Sequence, residues 1–231
     1  MKKIFDINRL NQYIEEFELN SIFEKDMIEH MELFCFSKGD MICTKDNYVN
    51  YVYFLVEGKI KVYTLHDNGK SILLRFSNPL SILGDVELLS DYKGLCNVES
   101  VTETFLIGIE IVKLKKYAYN DTKFLRFVIK NLSYKLYNTS NATSINLLYP
   151  LESRFASYLL SISGEGSSSS GDDIRTSKLT EIANLLGTSY RHLNRIINEF
   201  VNKDIIIRKR GTIIIKDFHK LKELSSGNIY E

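Results

Sequence analysis

Hydrophobic and polar positions change their period three times along this chain. The first thirty residues are polar and helical in pattern. From residue 34 to 110 the apolar positions gather in short β-rich runs, residues 51–56 and 59–65 among them, with Glu57-Gly58 between these two. Asp67-Asn68-Gly69 is a hairpin signal, and residues 71–76 and 98–111 continue the series. Many short strands separated by turn residues predict a closed roll or jelly roll.

After residue 119 the period becomes helical. Asn120-Asp121-Thr122 offers N-cap residues to a helix that should run to Leu148. Leu125, Ile129, Leu132 and Leu136 follow a heptad spacing, and the seam turns polar at Thr139 and Thr143. Such a stripe packs either on its own β-domain or on a second copy of the chain. The length of the helix favours a dimer seam. Pro150 should break it, and residues 151–162 read as a new amphipathic helix. Residues 164–173, rich in Gly and Ser, read as an exposed loop, either a spacer or a contact loop.

The most specific pattern spans residues 182–197. A helix-turn-helix needs a small residue where its helices cross, a glycine at the turn and buried apolar residues at fixed offsets. Ile182-Ala183, Leu186-Gly187, Leu193 and Ile196 meet those needs, and Ser189 is a suitable N-cap for the second helix. Tyr190, Arg191, His192, Asn194 and Arg195 then stand at its groove-facing start. Arginine can hold guanine and asparagine can hold adenine through paired hydrogen bonds. Residues 203–215 follow as two β-branched runs around a basic turn ending in Gly211, which predicts a wing with Lys209 and Arg210 reaching phosphate. Lys178, just ahead of the motif, is a further expected DNA contact.

Charge supports this division. Between Arg175 and Lys222 there are eleven Lys and Arg against four Asp and Glu, so with the whole at +1 the rest of the chain carries about −6. No run reaches the roughly 18 to 20 apolar residues of a membrane span, and no signal peptide follows Lys2-Lys3, so a cytoplasmic protein without a membrane partner is expected. Cys35, Cys43 and Cys96 are odd in number and lack CxxC spacing, which fits a reducing compartment. An iron–sulfur cluster needs closely placed thiolates, and no thiol precedes Cys35. His30, His66, His192 and His219 are scattered. Neither metal nor cofactor is expected, and no nucleophile elbow, P-loop or paired-carboxylate motif argues for an enzyme.

A strand-rich domain, one long helix and the helix-turn-helix of residues 181–193 together resemble the Crp/Fnr family over nearly the whole chain. Residues 53–60 resemble its cyclic-nucleotide-binding-type signature, while residues 120–126 and 188–193 are similar to its YeiL-like branch. The resemblance implies an α+β fold with three parts. These are an N-terminal β-roll, a jelly roll of the cyclic-nucleotide-binding kind (residues 1–119), a dimerisation helix (120–149) and a C-terminal winged helix-turn-helix (150–231). It implies a transcriptional regulator, a homodimer on a two-fold site in double-stranded DNA, which meets RNA polymerase if it activates. The family's base-reading arginine falls on Arg195. Tyr190-Arg191 replaces the family's usual Arg-Glu, so a different DNA sequence should be read.

The resemblance also implies a phosphate-binding cassette near residues 83–88. Gly84 and Asp85 stand for the family's Gly-Glu pair, with Glu87 next to them. Where the family places an arginine for the cyclic phosphate, the chain has Leu95-Cys96-Asn97, with Cys96 at the cassette's serine position. Lys93, the nearest cation in sequence, should point to water from its place beside Gly94. A buried phosphate without a cation is costly, so cAMP is not expected and the effector should be neutral, cationic or thiol-reactive. Thr139-Ser140 match the family's purine-facing pair or are part of a polar seam. A different reading is a ligand-binding module that acts on a protein partner and carries a degenerate DNA domain. Sequence-selective, salt-dependent binding to duplex DNA separates the two.

Overall fold

The computed structural model describes the chain except residues 67, 68, 91, 164–173, 176–178 and 231, and gives only the backbone at 174–175. The elements run β1 (Lys2–Ile4), α1 (Ile7–Glu16), α2 (Leu19–Ile22), α3 (Lys25–Ile28), β2 (Glu32–Phe36), β3 (Met41–Cys43), β4 (Tyr51–Glu57) and β5 (Ile60–Leu65). Next come β6 (Ser71–Ser77), β7 (Ser81–Leu83), α4 (Asp85–Ser90), β8 (Asn97–Ser100), β9 (Thr104–Glu110), α5 (Ile111–Tyr117) and α6 (Thr122–Leu148). The last are α7 (Leu151–Ser163), β10 (Ile174–Arg175), α8 (Leu179–Leu185), α9 (Tyr190–Asn202), β11 (Ile206–Lys209), β12 (Thr212–Ile215) and α10 (Phe218–Leu224). This is the α+β class expected, a β-rich N-terminal part, a long helix and a helix-turn-helix. None of the described helices is long and apolar enough to cross a membrane.

By compactness the chain forms two units, residues 1–64 with 77–137, and residues 65–76 with 138–231. In the first, an antiparallel sheet of order β1-β2-β9-β4-β7 is joined by the ladder β3-β8-β5. β4 is buried on both faces. Val52, Phe54 and Val56 join a core with Leu10, Phe23 and Met27 of the N-terminal segment and Phe124 and Val128 of α6. Its alternate residues Tyr51 and Tyr53 pack instead with Phe34, and Tyr53 also meets Phe36. A strand covered on both sides reads as a continuous apolar run, which is why residues 51–56 show no alternation. β1 and α5 were not legible in the sequence, and Ile111, expected at a strand end, opens α5.

α6 begins where a cap was expected. Asp121 Oδ1 accepts from the backbone N–H of Lys123 at 2.6 Å and of Phe124 at 3.1 Å, satisfying donors that the first turn leaves open.

The second unit is held by α7 and the C-terminal tail. Tyr230 is buried; its N–H donates to Ser161 Oγ at 2.8 Å and its hydroxyl to Asn146 Oδ1 at 2.8 Å. Its carbonyl accepts from the Phe76 N–H at 2.6 Å, and Phe76 packs on Tyr158. Three elements, β6, α6 and α7, are thereby fastened by one residue that the sequence did not single out. The 164–173 segment and part of the 67–69 hairpin signal lie outside the described residues.

Candidate nucleic-acid interface

α8 and α9 form the helix-turn-helix. Gly187 sits at φ +61, a left-handed conformation that glycine adopts at no steric cost. The Thr188 N–H donates to Ala183 O at 2.9 Å and the Gly187 N–H to Asn184 O at 2.9 Å, the pattern that closes a helix C-terminus. Arg154 Nη1 of α7 donates to Leu186 O at 2.6 Å, a further carbonyl satisfied. Ser189 then caps α9, its side chain accepting from the His192 N–H at 3.2 Å. Leu193, Ile196, Ile197 and Phe200 bury one stripe of α9. The opposite face carries Arg191, His192, Arg195 and Asn198, all exposed, with Asn194 half-buried on one flank and Tyr190 exposed at the start.

Two of these side chains, His192 and Arg195, are held in place by neighbours. Arg195 Nη2 lies 3.0 Å from His192 Nε2, and His192 Nδ1 lies 3.4 Å from Thr188 Oγ1. A guanidinium only donates, so Nε2 accepts and Nδ1 bears the hydrogen that faces Thr188. Glu199 stands 3.9 Å from Arg195 Nε, one turn on. The wing is β11 and β12, paired Lys209↔Thr212 around Arg210-Gly211, with β10 on the far side of β12. Lys209 and Arg210 are exposed at its tip, as expected. Lys178 lies outside the described residues.

The cassette of the first unit is different in kind. Gly84, at φ +84, leads from β7 into α4; a Cβ there would lie 2.8 Å from Tyr51 O, so the position is closed to other residues by backbone. Asp85 opens α4 with 1% of its surface exposed, and Lys135 of α6 donates to its Oδ1 at 2.5 Å. Its Oδ2 is buried with no hydrogen-bond partner among the described residues. The expectation that this site lacks a cation is therefore corrected: α6 supplies one, fifty residues away in sequence, and the chain's own carboxylate holds it. Glu87 is half-buried nearby. Burial, then the Glu87 carboxylate, push the Cys43 thiol up to about 12, with Lys135 pulling the other way. Burial also raises Cys35. Thiols held protonated are poor nucleophiles, so a thiol-reactive effector finds no activated partner in these two. Lys93 stacks over the Tyr48 ring at 5.1 Å, and Leu95 is exposed, so neither turns inward. Cys96 is half-buried. Thr139 is half-buried and Ser140 exposed, in the part of α6 that belongs to the second unit. Among the described residues, no three His, Cys, Asp or Glu gather as a metal site.

Comparison with known proteins agrees with this arrangement. Residues 15–119 match the cyclic nucleotide-binding domain and residues 153–224 the Crp-like helix-turn-helix domain. The chain belongs to the Crp/Fnr family of transcriptional regulators. Regulatory protein YeiL of Escherichia coli O157:H7 is 26% identical over 212 residues, covering 92% of this chain and 94% of that protein. A CRP-like cAMP-activated global transcriptional regulator of Mycobacterium tuberculosis is 21% identical over 189 residues, 80% of this chain and 84% of that protein. A CRP/FNR-family regulator of Thermus thermophilus shares the fold with a TM-score of 0.70 at 21% identity, over 84% of this chain and 98% of its own. Crp/Fnr proteins are regulators rather than enzymes. Within this Crp/Fnr chain, sequence reasoning missed Lys135, Arg208, Asn198 and the Thr188–His192–Arg195 chain. The i, i+4 spacing of Asn194 and Asn198 and of Thr188 and His192 was available as a signal; the Lys135–Asp85 contact left none.

Proposed function

We propose that this Crp/Fnr protein binds DNA as a homodimer, laying α9 in the major groove of each half of a two-fold site with the wing on the flanking phosphates. The observation that carries this reading is the outward face of α9. Arg191, Asn194, Arg195 and Asn198 are presented around a buried stripe, the last three braced by neighbours, in the arrangement that base-edge recognition needs. Dimerisation is supported by α6, where Ile129 and Leu136 are 60% and 74% exposed. Apolar residues that one chain leaves in water in such a row fit a second copy. Leu125 and Leu132 are half-buried, and Leu132 leans on its own core.

The effector is a molecule other than cAMP. The cation at the cassette is already held by Asp85, and a cyclic phosphate would have to displace that carboxylate in a buried setting. Reading chromosomal DNA places the protein in the cytoplasm, and an activator would also meet RNA polymerase. The test is a titration of duplex DNA at several salt concentrations, with and without millimolar cAMP. Affinity should fall steeply with salt, at a log–log slope of about −0.9 per phosphate contacted, and differ between sequences. cAMP should tighten binding by less than about tenfold. Binding that is blind to sequence would overturn base reading, and a larger cAMP effect would overturn the effector assignment.

A further inference from the structure

Arg208 lies on wing strand β11 but does not reach outward like its neighbours at the tip. Its Nη1 donates to Asn194 Oδ1 at 2.8 Å and to Asn198 Oδ1 at 3.3 Å. The two asparagines stand one turn apart on the wing-side flank of α9. The two ends of an asparagine amide look alike and are ordinarily assigned from their surroundings. Here chemistry assigns them, because a guanidinium has donors and no acceptor. Each amide must turn its oxygen to the wing and its Nδ2 amine away from it. Among the described residues, no protein group accepts from the Nδ2 of Asn194.

This orientation bears on which base the flank can read. Asparagine holds adenine by using both ends at once, Oδ1 accepting from N6 and Nδ2 donating to N7. A carbonyl oxygen has two lone pairs, so with Arg208 on one of them the adenine contact is weakened rather than forbidden. What Asn194 offers without competition is a donor. The base edges that match a donor are O6 and N7 of guanine, N7 of adenine and O4 of thymine; at adenine the neighbouring N6 amine then meets an oxygen already engaged by Arg208, so guanine and thymine are favoured.

We propose that Arg208 is a specificity-determining residue. By holding the carbonyl ends of Asn194 and Asn198, it turns the wing-side flank of α9 from an adenine reader into a donor surface that selects guanine or thymine. The inference rests on the DNA-reading function proposed above. It separates Arg208 from Lys209 and Arg210, whose charges are exposed at the tip for phosphate. Arg208 acts on base choice through Asn194, as a positioning residue.

The experiment is selection from a randomised duplex pool with the full-length protein. The variants are wild type, Arg208→Ala, Asn194→Ala and the double substitution, with Arg208→Met, which keeps the stem without the donors, as a second form of the first variant. Wild type should enrich guanine or thymine at one position of each half-site. Arg208→Ala and Arg208→Met should raise adenine there by about tenfold, equivalent to about 1.4 kcal/mol, and leave the other positions unchanged. Asn194→Ala should flatten that position, and the double variant should match it, since Arg208 then has no amide to orient. Arg208 variants that bind every sequence more weakly with unchanged base preferences would overturn the inference and make Arg208 a phosphate contact. Adenine preferred at that position by the wild type would overturn it as well. Wild type that enriches no sequence would overturn the DNA-reading function and this inference together, so the two failures are told apart by the wild-type arm.

Discussion

On α9, the polar groups opposite the buried stripe face water, and hydrogen bonds to Thr188 and Arg208 and an ion pair with Glu199 orient them without covering them. At the start of α4, by contrast, a carboxylate with almost no exposure is met by a lysine from the chain's own long helix. Both regions turn on a left-handed glycine, Gly187 in one and Gly84 in the other. They differ in whether the polar side chains are left for a partner. An exposed polar side chain loses little by waiting in water. A buried carboxylate cannot wait, because an unpaired buried charge is strongly destabilising. Where no ligand is built in, the fold must supply the counter-charge, and here α6 does.

The largest effect is expected on α6, at the stripe proposed to pair two copies of the chain. Ile129→Asp with Leu136→Asp should yield monomers by sedimentation and lower DNA affinity by about a hundredfold or more, since each half-site then binds alone. A dimer of unaltered mass would return the stripe to a solvated face. Leu132→Asp is a less clean probe, because that side chain also packs on its own core and its loss should lower the melting temperature in addition. Next in size is the cassette. Lys135→Met leaves Asp85 buried and unpaired and should cost about 3 kcal/mol in chemical denaturation, whereas Lys135→Met with Asp85→Leu should recover most of it. If the single variant is as stable as wild type, the pair is not what satisfies the site.

Smaller effects are expected on α9 and the wing. Arg195→Ala should reduce the ratio of specific to random-DNA affinity by about 1–3 kcal/mol while the protein remains dimeric. An unchanged ratio would remove Arg195 from base reading. Lys209→Ala with Arg210→Ala should weaken binding to all duplexes alike and flatten the salt slope by about two units or fewer. A loss confined to one sequence would show that the wing tip reads bases.

What could be read along the chain was local. The Asp121 cap, the Gly187 turn, the Ser189 cap and the Lys209↔Thr212 wing each depend on residues within a few positions of one another, so short spacings carry them. The doubly buried strand β4 was visible for a related reason, since a continuous apolar run between turn residues has few other uses. β1 and α5 were not visible. β1 is three residues long and exists by pairing with β2, and Ile111 is apolar enough to pass for one more strand residue.

The sequence by itself determined that there is a β-rich domain, a long helix and a winged helix-turn-helix, because hydrophobic period and turn chemistry act over a few residues and suffice to choose an element. Only the tertiary structure decided what the polar side chains do. Lys135 reaches Asp85 across fifty residues, Arg208 turns the amides of Asn194 and Asn198, and Tyr230 ties together β6, α6 and α7 from the end of the chain. Each is a contact between groups whose spacing in sequence bears no relation to their distance in space. A hydrogen bond or ion pair is set by that distance and by burial, so no periodicity along the chain announces it.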